Sequence, residues 1–245
     1  MIGGGFRVMP DVVKNLLILN VLAFVALIIL GGQGVDLNRL AGLYYWKSAH
    51  FEPYQLITHM FMHGGLFHIF FNMFALWMFG SPLEQVWGPK RFLTFYLITG
   101  LGAAALHLGV LHFQYLNLVA DMDTETVRTV INEGASVFNQ GKNYSDAQMG
   151  QLNLMLNIPT VGASGAVYGI LLGFGLLFPN TRLMLLFPPI PIKAKYFVIA
   201  YAAIELYLGF SNNPGDNIAH FAHLGGMLFG FILIKYWQKS RRDFF

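Results

Sequence analysis

Apolar residues gather into six stretches, at about residues 12–30, 66–79, 92–111, 164–178, 196–210 and 218–236, with charge and proline returning between them. Roughly 19 apolar residues suffice to cross about 30 Å of hydrocarbon, so each stretch is read as a membrane-spanning helix. The second is short and closes at Gly80-Ser81-Pro82. Arg7 precedes the first run and Lys14 stands at its start, as basic residues would in a signal peptide, but no A-x-A-like site follows, which favours a retained helix. Residues 31–65 mix Asp36, Arg39, Lys47 and Glu52 with Leu40, Tyr44, Tyr45, Trp46 and Phe51. Such a segment is too polar to span, and its amphipathic rings suit an interfacial loop. Residues 112–160 carry Asp121, Asp123, Glu125, Glu133 and Asp146 against only Arg128 and Lys142. They form an extramembrane insertion with a short helix near 124–131 and a turn at 141–146 before a second helix. The segment 182–195, with Pro188, Pro189 and Pro191, reads as a stiff basic connector.

Composition sharpens this into a class. Of 245 residues, 56% are hydrophobic and 11% charged, which excludes an ordinary soluble domain. The expected fold is an all-α polytopic membrane protein, a six-transmembrane-helix bundle forming one membrane domain over residues 1–245. Its medium is the lipid bilayer. The net charge of +3 does not point to nucleic acid, because the basic residues are dispersed and flank the apolar runs. Arg39, Lys47, Arg128 and Lys142 fall on the side of the interfacial loop and the insertion, and every other Lys and Arg falls with the termini. That bias predicts cytoplasmic termini; the expected setting is a bacterial inner (cytoplasmic) membrane. Cysteine is absent, so disulfides, thiolate catalysis and cysteine zinc sites are excluded.

The topology brings chemistry to one level. Ser164, framed by glycines in Gly162-Ala163-Ser164-Gly165, opens the fourth span, where a helix N-terminus offers free N–H groups and positive polarity. His223 lies in the first turns of the sixth, and His68 and Asn72 in the second; all three spans start on the same side. Polar groups inside a membrane mark a functional site. A serine needs a base to become a nucleophile at neutral pH, and His223 is the candidate. Gly165, Gly169 and Gly173 on one helix and Ala222, Gly226 and Gly230 on the other provide small-residue faces through which the two helices can approach. His68 and Asn72, four apart and on one helix face, are hydrogen-bond donors suited to an oxyanion.

These motifs together resemble those of the rhomboid intramembrane serine proteases. His63-x-x-x-x-His68-x-x-x-Asn72 is similar to the family's second-helix motif, Gly162-Ala163-Ser164-Gly165 to its nucleophile motif, and Ala222-His223-x-x-Gly226-x-x-x-Gly230 to its histidine helix. The resemblance implies a serine endopeptidase in which Ser164 is the nucleophile and His223 the base, with no acid orienting the histidine. It further implies an oxyanion site of His68, Asn72 and the Ser164 N–H, with Tyr168 packed on His223 and with Gly162 and His63 in supporting places. Substrates would be transmembrane or juxtamembrane segments of other membrane proteins, and no cofactor or metal is implied. Tyr54-Gln55 stands where the family often has Trp-Arg, and the 112–160 insertion is longer than the connection in many relatives.

Two other classes bear on the same residues. A non-catalytic rhomboid-like protein would use this fold to bind membrane clients. His59-x-x-x-His63 and His220-x-x-His223 allow a histidine-box metal enzyme, although His-Glu-x-x-His is absent. Glu205 is the oddity, an intramembrane acid that places itself too deep in the fifth span, by residue count, to serve as a triad acid.

Overall fold

The computed structural model describes residues 9–184, 189–211 and 219–240. Arg7, Pro188, Ile218, Arg241 and Arg242, used above for topology and boundaries, lie outside the described residues. The first apolar run is helix α1 (Asp11–Gly31). Pro10 precedes its first turn and offers no side-chain cap. The open N–H groups are satisfied from elsewhere in the chain, for the buried Glu84 carboxylate accepts from Val12 N at 2.9 Å and Val13 N at 2.8 Å.

The interfacial segment contains two short helices, α2 (Leu37–Ala41) and α3 (Gln55–Thr58), and a 3-10 turn at His59–Phe61. Asp36 caps α2 by accepting from the Asn38 and Arg39 N–H groups. Gln55 is the anchor of this loop. Buried to 1% exposure, it accepts from the Tyr44 N–H at 3.3 Å and the Glu52 N–H at 3.1 Å, and donates to His50 O at 2.9 Å and Leu40 O at 3.4 Å. The loop is thus tied down by a neutral amide.

The second span does not stop at Gly80-Ser81-Pro82. Helix α4 (Leu66–Ala75) passes through a wide π turn at Leu76–Gly80 into α5 (Ser81–Trp87). Pro82 falls in the first turn of α5, directly after the wide turn. The third span is also longer than its apolar core suggests. Helix α6 runs from Pro89 to Ala120, so the insertion begins some nine residues later than the change in composition implies. Helices α7 (Thr124–Asn139) and α8 (Ala147–Asn157) follow, each capped by an aspartate, Asp123 or Asp146. The turn between them is where the sequence puts it, but α7 extends a further two turns beyond residue 131.

Helix α9 (Ser164–Leu177) is only 14 residues long, and α10 (Ala194–Phe210) and α11 (His220–Ser240) complete the described chain. The basic connector is a hairpin rather than a simple spacer: β1 (Arg182–Met184) pairs antiparallel with β2 (Pro191–Lys193). All six apolar stretches are therefore helical. Three of the helical stretches, Asp11–Gly31, Leu66–Trp87 and Pro89–Ala120, are by themselves long and apolar enough to cross a bilayer. This is an integral, multi-pass membrane protein of the all-α class, with one short hairpin.

Helices α6, α9 and α11 form the centre. Gly226 of α11 meets the α9 backbone so closely that a Cβ there would sit 1.8 Å from Gly165 O, which no side chain can survive. The expected seam between the two glycine faces is therefore only half correct. Gly165 and Gly169 of α9 turn their open sides to Ala103 and Thr99 of α6, while α11 rests on α9 carbonyls. Small residues serve both contacts because backbones can approach where no side chain intervenes.

Candidate active site

Ser164 is the first residue of α9, and the loop that delivers it is pinned to the interfacial segment. Leu43 and Thr160 exchange two backbone hydrogen bonds of 2.8 Å, and the Gly162 N–H donates to His59 O at 2.9 Å. Gly162 then turns with φ +131°, a conformation that favours glycine. The first helical bond of α9 runs from the Val167 N–H to Ala163 O at 3.0 Å, so the N–H groups before it point out of the helix end. From α11, His223 brings Nε2 to 2.9 Å from Ser164 Oγ. The two residues paired on sequence grounds are in hydrogen-bonding contact.

Tyr168, one turn along α9, stacks on the His223 ring with centroids 4.1 Å apart and planes 3° from parallel. On the other side stands His68. Its Nδ1 accepts from the Gly64 N–H at 3.3 Å, which leaves the ring proton on Nε2. A side chain at Gly162 would meet that Nε2 at 2.8 Å and Ser164 Oγ at 3.5 Å, so the donor nitrogen faces the loop that carries Ser164. Asn72 is buried one turn further on and gives an amide hydrogen to His68 O at 2.9 Å, with a second hydrogen left for an incoming group. His63, 1% exposed, sets its ring edge-on against His68 at 5.0 Å, and burial with the neighbouring His68 holds it down to about 4, hence neutral. His59 is likewise held neutral by burial, at about 4, and donates from Nδ1 to Gln55 O at 2.8 Å.

The family model described as the rhomboid domain matches residues 50–239, most of the chain and every residue of the site. The chain belongs to the rhomboid family. It is 29% identical over 237 residues to the RHOMBOID-like protein 12, mitochondrial, of Arabidopsis thaliana, covering 96% of this chain and 60% of that protein. It is 25% identical over 191 residues to the Rhomboid protein 1, mitochondrial, of Saccharomyces cerevisiae, covering 76% of this chain and 44% of that one. A shorter match, 34% over 74 residues, joins it to an Arabidopsis thaliana protein named Inactive RHOMBOID-like protein 8, covering 29% of this chain and 21% of that protein. The chain thus spans about three fifths or less of the length of these relatives.

One feature of this rhomboid departs from the expectation drawn from its sequence. Glu205, set aside as too deep, lies beside the histidine: its Oε2 is 3.0 Å from His223 Nδ1 and 2.6 Å from His220 Nδ1, and its Oε1 accepts from the Tyr168 hydroxyl. The depth was misjudged in the counting: Glu205 stands five residues before Phe210, where α10 ends, and His223 three residues after His220, where α11 begins, so each lies within about two turns of those neighbouring helix ends. That count from the helix ends was the signal. Among the described residues, Glu205, His220 and His223 also bring three possible metal-ligand atoms within 4.8 Å of one another.

Proposed function

We propose that this rhomboid is an intramembrane serine endopeptidase that hydrolyses a peptide bond in or beside the transmembrane segment of another membrane protein. The observation that carries the reading is the 2.9 Å approach of His223 Nε2 to Ser164 Oγ at the open end of a helix. His223 takes the Ser164 proton as the oxygen attacks the scissile carbonyl. The oxyanion so formed is met by the Ser164 N–H, the His68 Nε2–H and the Asn72 amide, a donor of this kind supplying roughly 3–4 kcal/mol in a serine protease. His223 returns the proton to the leaving amine, and water then releases the acyl group by the same steps in reverse. Because helical carbonyls are already hydrogen-bonded, the substrate is a segment that unwinds readily, rich in glycine or other poor helix formers.

The same reading takes the six helical stretches as six spans and residues 9–240 as one membrane domain, with both ends on the more basic side. Mitochondrial names among the relatives make an organelle's membrane as good a setting as a bacterial one, and the sidedness is common to both. A silent, client-binding rhomboid is the second reading, favoured by the relative named inactive. Reconstitution with a fluorogenic transmembrane substrate decides between them. Cleavage is expected in the unaltered protein, falling by at least about 10⁴-fold in Ser164→Ala and in His223→Ala, with a fluorophosphonate labelling Ser164. Cleavage that persists in both variants removes the dyad, loss of cleavage on chelation favours a metal at Glu205, His220 and His223, and substrate binding without turnover supports the silent reading.

A further inference from the structure

The environment of Glu205 is that of a working acceptor. It is 5% exposed, on α10, and the titratable groups facing it come from both helices packed against α10 and from its own: Tyr168 on α9, His220 and His223 on α11, and Tyr201 beside Tyr168. Tyr168 and His220 each donate a hydrogen bond to it, one to each oxygen, and His223 Nδ1 lies 3.0 Å from Oε2. Such a carboxylate accepts on both oxygens, and burying it is tolerable because those donors are there.

We propose that Glu205 is the positioning acid of the reaction, so that this rhomboid works with a Ser164–His223–Glu205 triad in place of a dyad. The inference rests on the protease reading above. With a carboxylate at Nδ1, the His223 proton resides on that nitrogen, and Nε2 presents a lone pair to Ser164 Oγ. When Nε2 takes the serine proton, the imidazolium is left 3.0 Å from Glu205 Oε2, which stabilises the charge where it forms. No proton passes to Glu205. At present the carboxylate lies off the line of the ring N–H, and His220 holds the aligned bond at 2.6 Å. Catalytic hydrogen bonds are often poorly aligned before substrate arrives. His220, three residues before His223 and on the same helix face, shares Oε2 and keeps the carboxylate from rotating away, while Tyr168 holds Oε1 and the ring face.

The rival account is that Glu205 only ties α9, α10 and α11 together. Charge and shape separate the two. Glu205→Gln keeps the shape and an acceptor for Tyr168 but loses the charge, whereas Glu205→Asp keeps the charge on a shorter stem. As positioning acid, Glu205→Gln should lose on the order of 10²–10⁴-fold in kcat with KM changed less than about threefold, as for the equivalent change in a serine protease. Glu205→Asp should recover at least tenfold of that loss. Should Glu205→Gln not fold, as judged by thermal melting and gel filtration, the same comparison is made between Glu205→Asp and Glu205→Asn. An uncharged member of either pair that turns over as fast as its charged partner overturns the proposal. If Ser164-dependent cleavage survives in that variant, the triad alone has failed; if the unaltered protein neither cleaves nor takes the fluorophosphonate at Ser164, the protease reading has failed and the triad with it.

Discussion

At the scale of single residues, the site depends on side chains that are absent as much as on those present. Gly162 sits at φ +131°, and its open face is occupied by the His68 ring, with Nε2 2.8 Å from where a Cβ would be. Gly162→Ala therefore has two costs: backbone strain of about 1–3 kcal/mol, and displacement of the His68 ring, the oxyanion donor of the proposed mechanism. The expected result is a kcat roughly 10- to 100-fold lower, since losing such a donor outright costs about 10²–10³-fold, with a fall in melting temperature. A variant that cleaves within about twofold of the parent would show that His68 does not act from where it lies. Ser164, His223, His68 and Tyr168 were all legible in the sequence because each belongs to a short motif with fixed spacing. Glu205 was not, for its neighbours lie on other helices and their relative depth is a property of helix ends, which a string of apolar residues marks poorly.

At the scale of elements, the helices are less self-sufficient than their hydropathy suggests. Helix α1 has an apolar surface suited to lipid and only three buried residues, Val13, Leu16 and Asn20. Its N-terminus is held by Glu84 from α5, through two backbone N–H groups separated from it by more than 70 residues in sequence. Hydrogen bonds to a charged acceptor contribute about 1.5–3 kcal/mol, and buried N–H groups left unpaired cost a similar amount. Glu84→Ala should accordingly melt earlier in detergent by an amount equivalent to about 2–4 kcal/mol. Glu84→Gln should fall between, because its amide offers one oxygen where the carboxylate offers two. An unchanged melting point in both would mean that α1 is held by packing alone. Nothing in the sequence announced this contact, because Gly80-Ser81-Pro82 read as the end of a span. The π turn at Leu76–Gly80 allowed the helix to continue past it.

At the scale of the whole molecule, the insertion stops being an appendage. Its helices α7 and α8 bury Val130, Leu152 and Leu156 in a second core with Leu43 and Tyr45 of the interfacial loop and Ala104, Leu108 and Tyr115 of α6. Arg39 adds a bond to Asn139 at 2.6 Å. Leu43, within that core, is also the residue that pairs with Thr160 to hold the nucleophile's loop, and His107 of α6 meets Thr160 Oγ1 at 2.8 Å. Acidic composition set residues 112–160 apart in the sequence, although 112–120 continue α6, whereas the apolar positions of α7 and α8 are what join the segment to the site. Leu152, fully buried, tests this coupling at a place remote from Ser164. Leu152→Ala removes about 2–5 kcal/mol of packing, which should open α7 and α8 to hydrogen exchange. If the core is shared, faster exchange spreads to the Leu43 and Thr160 amides and kcat falls severalfold with it, because the loop carrying Ser164 loses its tether. Faster exchange confined to residues 124–157, with kcat unchanged, would show instead that the insertion folds beside the site without supporting it.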